Sequence, residues 1–381
     1  MAVRERSRWP EGGGSAVTTQ PDCRADRELP AATDRSDRSP ASDRLETIDC
    51  LRGVAALAVC CYHLTRSNLM TFDVPALRWL FGWGAAGVDI FFVISGFIIP
   101  YTMMCSAYRV SHFGAFFGRR LIRLAPPSWI QIASMLALFL AISATAGSGP
   151  AWMGAMSASR ILHNLAYTVD FTRETWINPV FWTLAVEFQF YLLVGLAFPF
   201  VFAGKRAFVV TCVMLILLRH VPVVGDLPFL KHATLFLIGG AALLHRQSVL
   251  TIREYLILVA ILTLVTAIRP GAVQAGFGCA TALVISFMTV RSRIGVFLGN
   301  ISYSLYLTHS LTAGLTATVL TRVIAPTTAG PKMIIIAAAL ALVIISSWLF
   351  YRIVERPFIE LAKRTFPRPA ERPRRSVELA F

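Results

Sequence analysis

From Leu45 to about residue 360 the chain is a succession of apolar runs separated by short connections that hold most of its arginines. Ten runs stand out, near 53–70, 84–104, 126–146, 180–203, 206–225, 228–245, 254–271, 273–290, 297–321 and 332–351. Most approach the roughly 20 residues that a helix needs to cross the hydrocarbon core of a bilayer. The pattern predicts an all-α, polytopic transmembrane helix bundle of about ten spans. The fifth and seventh runs are the weakest, with uninterrupted apolar cores only at Ala207–Leu218 and Tyr255–Ile268. Residues 1–44 are rich in Arg, Asp, Ser, Pro and Gly, and hold no apolar stretch that would serve as a signal peptide. They predict a disordered tail, and 361–381 a second, basic one, leaving 45–360 as the membrane domain.

Composition agrees with the pattern. Of 381 residues, 56% are apolar and only 15% charged, with mean hydropathy +0.62, which excludes an ordinary soluble multidomain enzyme. A net charge of +15 raises the possibility of nucleic-acid binding, but the basic residues punctuate apolar runs and form no single patch. Alternate connections carry them unequally, 27 on the side holding the N-terminus and eight on the other. By the positive-inside rule both termini are expected to be cytoplasmic. Seven cysteines, without CxxC or Cys/His ligand spacing, argue against both a disulfide framework and a zinc site. No internal repeat of the inverted-transporter kind is visible.

A titratable side chain inside an apolar run is costly, and four such positions stand out: His63, Asp89, Glu187 and His309. In LRGVAALAVCCYH (Leu51–His63), Arg52 and His63 are eleven residues apart, which places them on one helix face about 16 Å apart. Arg52 then sits at the cytoplasmic surface and His63 near mid-bilayer. Asp89 lies in GVDIFFVISGF (Gly87–Phe97), near the start of an inward-running helix whose macrodipole suits a carboxylate. In FWTLAVEFQFYLL (Phe181–Leu193), Thr183, Glu187 and Tyr191 recur every four residues on one polar face. Helix arithmetic puts Glu187 at a depth close to that of His63, so the two are expected to meet.

In RRLIRLAPP (Arg119–Pro127), Arg120 and Arg123 share a helix face at the cytoplasmic interface. Such a pair is either plain positive-inside charge or an anion clamp, since planar guanidinium groups match phosphate oxygens and coenzyme A carries several. Near the C-terminus, LGNISYSLYLTH (Leu298–His309) aligns Ser302, Tyr306 and His309, and VERP (Val354–Pro357) sets Glu355 beside Arg352 and Arg356.

Taken in order, these segments resemble the bacterial acyltransferase-3 family, polytopic inner-membrane enzymes that include O-antigen, exopolysaccharide and nodulation-factor acetylases. The resemblance covers about 45–360 and implies transfer of an acyl group, usually acetyl from acetyl-CoA, to a hydroxyl of a carbohydrate or glycosylated acceptor in the bacterial inner membrane, without a metal. The chain departs from the family pattern at Thr183, Ala185 and Phe188, where Ser, Ser and a second Glu are frequent, and at Thr308, where Trp is frequent. Many relatives end in an extracytoplasmic hydrolase-like domain, whereas about thirty residues follow the last run here.

The resemblance assigns His63 as the base, with Asp89 or Glu187 orienting and charge-balancing its imidazole. Arg120 and Arg123, with Arg52, are then the coenzyme-binding group, and Tyr191, Tyr306 and His309 line the acceptor's path. Two other classes compete. A proton-coupled transporter or exporter would also use midplane His and carboxylates, and a non-catalytic scaffold would keep the fold without binding acyl-CoA.

Overall fold

The computed structural model describes residues 40–66, 75–146, 156–325 and 328–367. Among these the chain is all-α: α1 (Pro40–Arg66), α2 (Pro75–Leu80), α3 (Gly87–Cys105), α4 (Phe113–Ala146), α5 (Ala158–Leu165), α6 (Trp182–Val201), α7 (Lys205–Leu218), α8 (Pro228–Arg246), α9 (Ile252–Ile268), α10 (Ala272–Phe287), α11 (Arg293–Asn300), α12 (Ser302–Ile324), α13 (Ala329–Phe350) and α14 (Arg356–Thr365). Each of the ten apolar runs holds one of these helices. Among the described residues, five helical stretches are long and apolar enough to cross a membrane: Leu45–Thr65, Ala76–Cys105, Val110–Ala144, Pro179–Val201 and Gly330–Thr365. The weak runs give short helices, 14 residues in α7 and 17 in α9.

Several ends differ from the sequence pattern, for local reasons. α1 begins at Pro40, ahead of the expected boundary at 45, with proline in the first turn where its missing N–H costs nothing. The run expected to begin at 126 is the second half of α4, which continues from Phe113 through Pro126 and Pro127. The two backbone donors lost there are those that would serve the Ile122 and Arg123 carbonyls, and the hydroxyls of Ser128 and Tyr303 donate to the next two carbonyls, of Ala125 (2.8 Å) and Leu124 (2.6 Å). Consequently Arg120 and Arg123 stand on a rigid helix, not in a loop. At the other end, α13 passes through a π-helical turn at Tyr351–Glu355 into α14 and so runs past 361. Of the tails expected at 1–44 and 361–381, residues 40–44 and 361–365 are helical, and 1–39 and 368–381 lie outside the described residues.

The core is set by close helix crossings. A Cβ placed on Gly96 of α3 would run into the carbonyl of Phe236, and one on Gly239 of α8 into that of Val93. These two helices therefore meet backbone to backbone, as small residues permit in membrane bundles. α1 approaches α3 in the same manner, with the Ala55 carbonyl against Gly87. A second apolar cluster joins α1 to α12 and α13 through Ala56, Cys60, Leu305, Ala317, Ala339 and Val343. Outward faces are apolar too: Val210, Leu264 and Ile334 are about two-thirds exposed, which bilayer hydrocarbon would cover.

Between α5 and α6 a strap of polar bonds replaces regular structure. Asn164, fully buried, accepts the Ile177 N–H at 2.8 Å and donates to the Thr175 carbonyl at 3.1 Å. Tyr167 stacks on Phe188 with ring centres 4.6 Å apart and bonds Ser128. Burial pushes its phenol above the ordinary tyrosine range, so this pair stays neutral. Asn178 then caps Pro179–Phe181, the turn leading into α6.

Candidate active site

A cavity of about 410 Å³ opens between α1, α3, α4, α6 and α12. Arg52, Arg120, Arg123, Glu187, Tyr191 and Tyr306 all line it, so six of the nine residues singled out from the sequence share one space. Tyr191 is buried and donates its hydroxyl to Glu187 Oε1, one helical turn away on α6. Ser95 of α3 donates to the same oxygen at 3.2 Å. The Tyr191 ring carries the Arg120 guanidinium 4.7 Å above its centre, with Phe116 also 5.0 Å from that cation. Glu187 is thus held by two hydroxyls, and Arg120 by aromatic faces whose quadrupole suits a partly desolvated cation.

Two further carboxylates balance the arginines. Asp49 pairs with Arg52 at 3.7 Å, one turn apart on α1. Glu355, only 1% exposed, accepts from Ser304 Oγ at 2.6 Å. The π-helical turn of Tyr351–Glu355 turns that carboxylate inward, and Arg123 lies within electrostatic reach of both Asp49 and Glu355. Buried charges persist only when compensated in this way. Among the described residues, the Nε atoms of Arg119 and Arg123 nevertheless remain buried without a hydrogen-bond partner.

The histidines form a second centre. His63 does not line the cavity; its ring lies 5.2 Å from that of His309. Tyr306, 5.8 Å from His309 between ring centres, stands between this pair and the cavity. Its hydroxyl donates to the Val180 carbonyl at 2.8 Å and lies 2.8 Å from Thr183 Oγ1. His309 is fully buried, and its Nδ1 lies 2.8 Å from the Tyr306 carbonyl and 3.2 Å from that of Leu305. Carbonyls only accept, so Nδ1 carries the proton and Nε2 presents a bare lone pair. Among the described residues that Nε2 has no partner, and neither has Nδ2 of the fully buried Asn178, whose Oδ1 accepts from Ser310, the residue after His309.

The expected meeting of Glu187 and His63 does not occur: no hydrogen bond or ion pair joins them, because Glu187 faces Ser95, Tyr191 and Arg120. Equal depth in a bilayer fixes height but not direction, and the Tyr306–Thr183 pair lies between. Asp89 is buried in the first turn of α3, where the helix dipole favours it, and makes no bond to His63. Ser95, Asn178, Arg119 and Asp49 were not singled out from the sequence. Ser95 and Thr102 line the cavity seven residues apart on α3, a spacing that was visible, whereas Asn178 reads as an ordinary cap before proline.

Comparison with known proteins gives these residues a context. The family model described as "Acyltransferase domain" matches residues 45–352. O-acetyltransferase OatA of Staphylococcus aureus (strain NCTC 8325 / PS 47) is 33% identical over 168 residues, covering 41% of this chain and 25% of the relative. Putative peptidoglycan O-acetyltransferase YrhL of Bacillus subtilis is 32% identical over 155 residues, covering 38% of this chain and 22% of the relative. Peptidoglycan O-acetyltransferase OatA of Listeria monocytogenes is 32% identical over 155 residues, covering 39% and 23%. The chain therefore spans about a quarter of the length of these curated relatives. No solved structure gives a significant match. With a match from 45 to 352 over an all-α bundle of long apolar helices, the chain belongs to the acyltransferase-3 family and is a multi-pass protein of the bacterial inner membrane.

Proposed function

We propose that the protein is a membrane O-acyltransferase that moves an acyl group, acetyl in the first instance, from acyl-CoA to a hydroxyl of a carbohydrate or glycosylated acceptor. The observation that carries this reading is the cavity where Arg52, Arg120 and Arg123 gather beside the His63–His309 pair. Family membership and relatives described as O-acetyltransferases support it. We read ten crossings with both termini cytoplasmic, on the strength of the 27-to-8 charge asymmetry. The membrane domain runs from about 45 to 360 between two cytoplasmic tails, the second of them basic. The arginines then line a cytoplasmic mouth, and the strap before α6 lies on the outer side.

In the reaction, the acceptor oxygen attacks the thioester carbonyl as its proton passes to His63. The resulting tetrahedral oxyanion collapses, the C–S bond breaks, and the thiolate takes the proton back from His63, which regenerates the base. His309 presents its bare Nε2 to accept a hydrogen bond from a second, neighbouring hydroxyl of the acceptor, while Tyr306 and Tyr191 shape the passage. Glu187 acts through Tyr191 and Arg120 on the donor side, and Asp89 supports the start of α3.

The deciding measurement uses purified full-length protein, acetyl-CoA labelled in the acetyl group, and a panel of glycan acceptors. Labelled ester on a glycan in the wild type, lost in His63→Ala with acetyl-CoA binding retained, is the expected result. Failure of the wild type to bind acetyl-CoA would overturn the reading.

A further inference from the structure

Beyond the main cavity, on the far side of Arg120 and Arg123, lies a smaller one of about 160 Å³. Thr102, Arg120 and Arg123 line both, so the two spaces meet at these side chains. Their electrostatic character differs. Asp49 and Glu187 line the larger, but among the described residues no carboxylate lines the smaller, which has Arg119, Arg120 and Arg123 on one side. At about 100° per residue these three arginines fan over roughly 100° of α4, with Arg123 in the middle. Arg119 reaches only the smaller space, where its Nε is buried without a partner.

The rest of the wall is rigid and suits a ring with a phosphate. Tyr108 packs edge-on against Phe116, ring centres 5.5 Å apart, and donates its hydroxyl to the Gly195 carbonyl at 2.7 Å. His112 Nδ1 accepts the Arg109 N–H at 3.2 Å, which leaves the proton on Nε2, a further donor. The last side is the chain after α14. Phe366 presses on Gly118, where a Cβ would come within 2.6 Å of its ring, and Pro367 borders the cavity.

We propose that this smaller cavity takes the phosphorylated adenosine end of the acyl-CoA donor, and that Arg119 reads its ribose 3′-phosphate. The inference rests on the acyl-CoA reading above and extends it. Coenzyme A has an uncharged pantetheine arm, a diphosphate, and then a nucleoside bearing a separate phosphate monoester. The arm matches the larger cavity, with Tyr306 at its far end. Arg120 and Arg123 at the junction match the diphosphate. The group beyond the diphosphate is a dianionic monoester, and Arg119 is the cation beyond the junction.

The test compares acetyl-CoA with acetyl-3′-dephospho-CoA, which lacks only the ribose phosphate, as ligands for full-length protein in nanodiscs. The wild type should bind the dephospho compound roughly tenfold to a hundredfold more weakly, the loss expected for one or two charge-assisted hydrogen bonds. Arg119→Gln should lower acetyl-CoA affinity to the wild-type dephospho level and leave dephospho affinity alone, and Arg119→Lys should fall between. Equal weakening of both ligands in Arg119→Gln would overturn the subsite. Equal affinity of the wild type for both ligands, with binding lost in Arg123→Gln, would also remove the subsite while leaving the donor reading intact. Binding of neither compound by the wild type would remove both. Should Arg119→Gln not fold, the wild-type preference and Arg119→Lys still decide.

Discussion

Tyr191 joins two functions that substitution can separate. Its hydroxyl bonds Glu187, and its ring carries Arg120 at 4.7 Å. Tyr191→Phe removes the first and keeps the second; Tyr191→Leu removes both. In the Phe variant Glu187 retains only the Ser95 bond of 3.2 Å, and loss of one hydrogen bond to a charged group costs about 1.5–3 kcal/mol of stability. The guanidinium keeps its platform, so acetyl-CoA affinity should change by less than about twofold. In the Leu variant the cation–π contact is also lost, worth about 0.5–2 kcal/mol at a partly desolvated site. Arg120 is then released toward its flexible rotamers, and donor affinity should fall by roughly 2- to 30-fold. Thermal unfolding in detergent reads the first effect and equilibrium binding of acetyl-CoA the second. If Phe weakens donor binding as much as Leu does, the hydroxyl rather than the ring positions Arg120, and the two functions of Tyr191 are not separable.

Other expectations follow from the same geometry. His63→Ala should insert normally and bind acetyl-CoA, with turnover on a confirmed acceptor lowered about 10²- to 10⁴-fold; near-wild-type turnover would return this histidine to a packing role. Ala at Gly239 meets the Val93 backbone, which cannot yield as a side chain would, so Gly239→Ala should lose at least the 1–3 kcal/mol of ordinary overpacking and show it as a lowered melting temperature. Ser304→Ala strips the nearest donor from Glu355 and should destabilise by about 1–3 kcal/mol, with Glu355→Gln in the same background recovering part of the loss. Asn reaches only as far as a histidine Nδ1 and Gln as far as Nε2. His309→Asn should therefore keep the helix contact to the Tyr306 carbonyl but raise the acceptor KM about 2- to 12-fold, and His309→Gln should raise it less; an unchanged KM in the Asn variant would leave the bare Nε2 without a role.

The helical class and the faces shared within single helices were legible in the sequence because periodicity and intra-helix spacing report both, whereas the gathering of the arginines around Glu187 was not. Thr183, Glu187 and Tyr191 share a face by arithmetic alone, and Arg52 lies one turn from Asp49. Helix ends were less legible where a tertiary partner overrides a local breaker. The Pro126–Pro127 pair reads as a boundary until Tyr303, distant in sequence, supplies a hydroxyl to that turn. The pairing of His63 was not legible at all. Depth along a helix follows from residue number, but which neighbour faces a side chain depends on how helices rotate about their axes. That rotation is set by contacts such as Gly96 on Phe236 and Gly87 on Ala55, and no single helix encodes it.

α12 explains how separate centres serve one transfer. Ser302, Tyr303 and Tyr306 face the large cavity, while His309 and Ser310, one turn further on, face His63 and Asn178. Three residues of helix rise about 4.5 Å, so an acyl carbon brought to Tyr306 lies about one turn from the bare nitrogen of His309. The charged coenzyme need not travel that distance. On the proposed reading the arginines hold its phosphates at one end, and desolvating them deeper would cost far more than moving a small neutral acyl group. The acceptor need not enter the arginine-lined cavity either, since its hydroxyl alone must reach the histidines. Tyr306 sits where the two routes meet, and its hydroxyl is held by Val180 and Thr183 on the turn entering α6. Val180 belongs to the segment capped by Asn178, which Ser310 bonds in turn. The strap that precedes α6 is thus tied to the same helix turn as the barrier between donor and acceptor sides. On the proposed reading, an acceptor held by His309 would therefore bear, through Ser310 and Asn178, on the residue that the acyl group must pass.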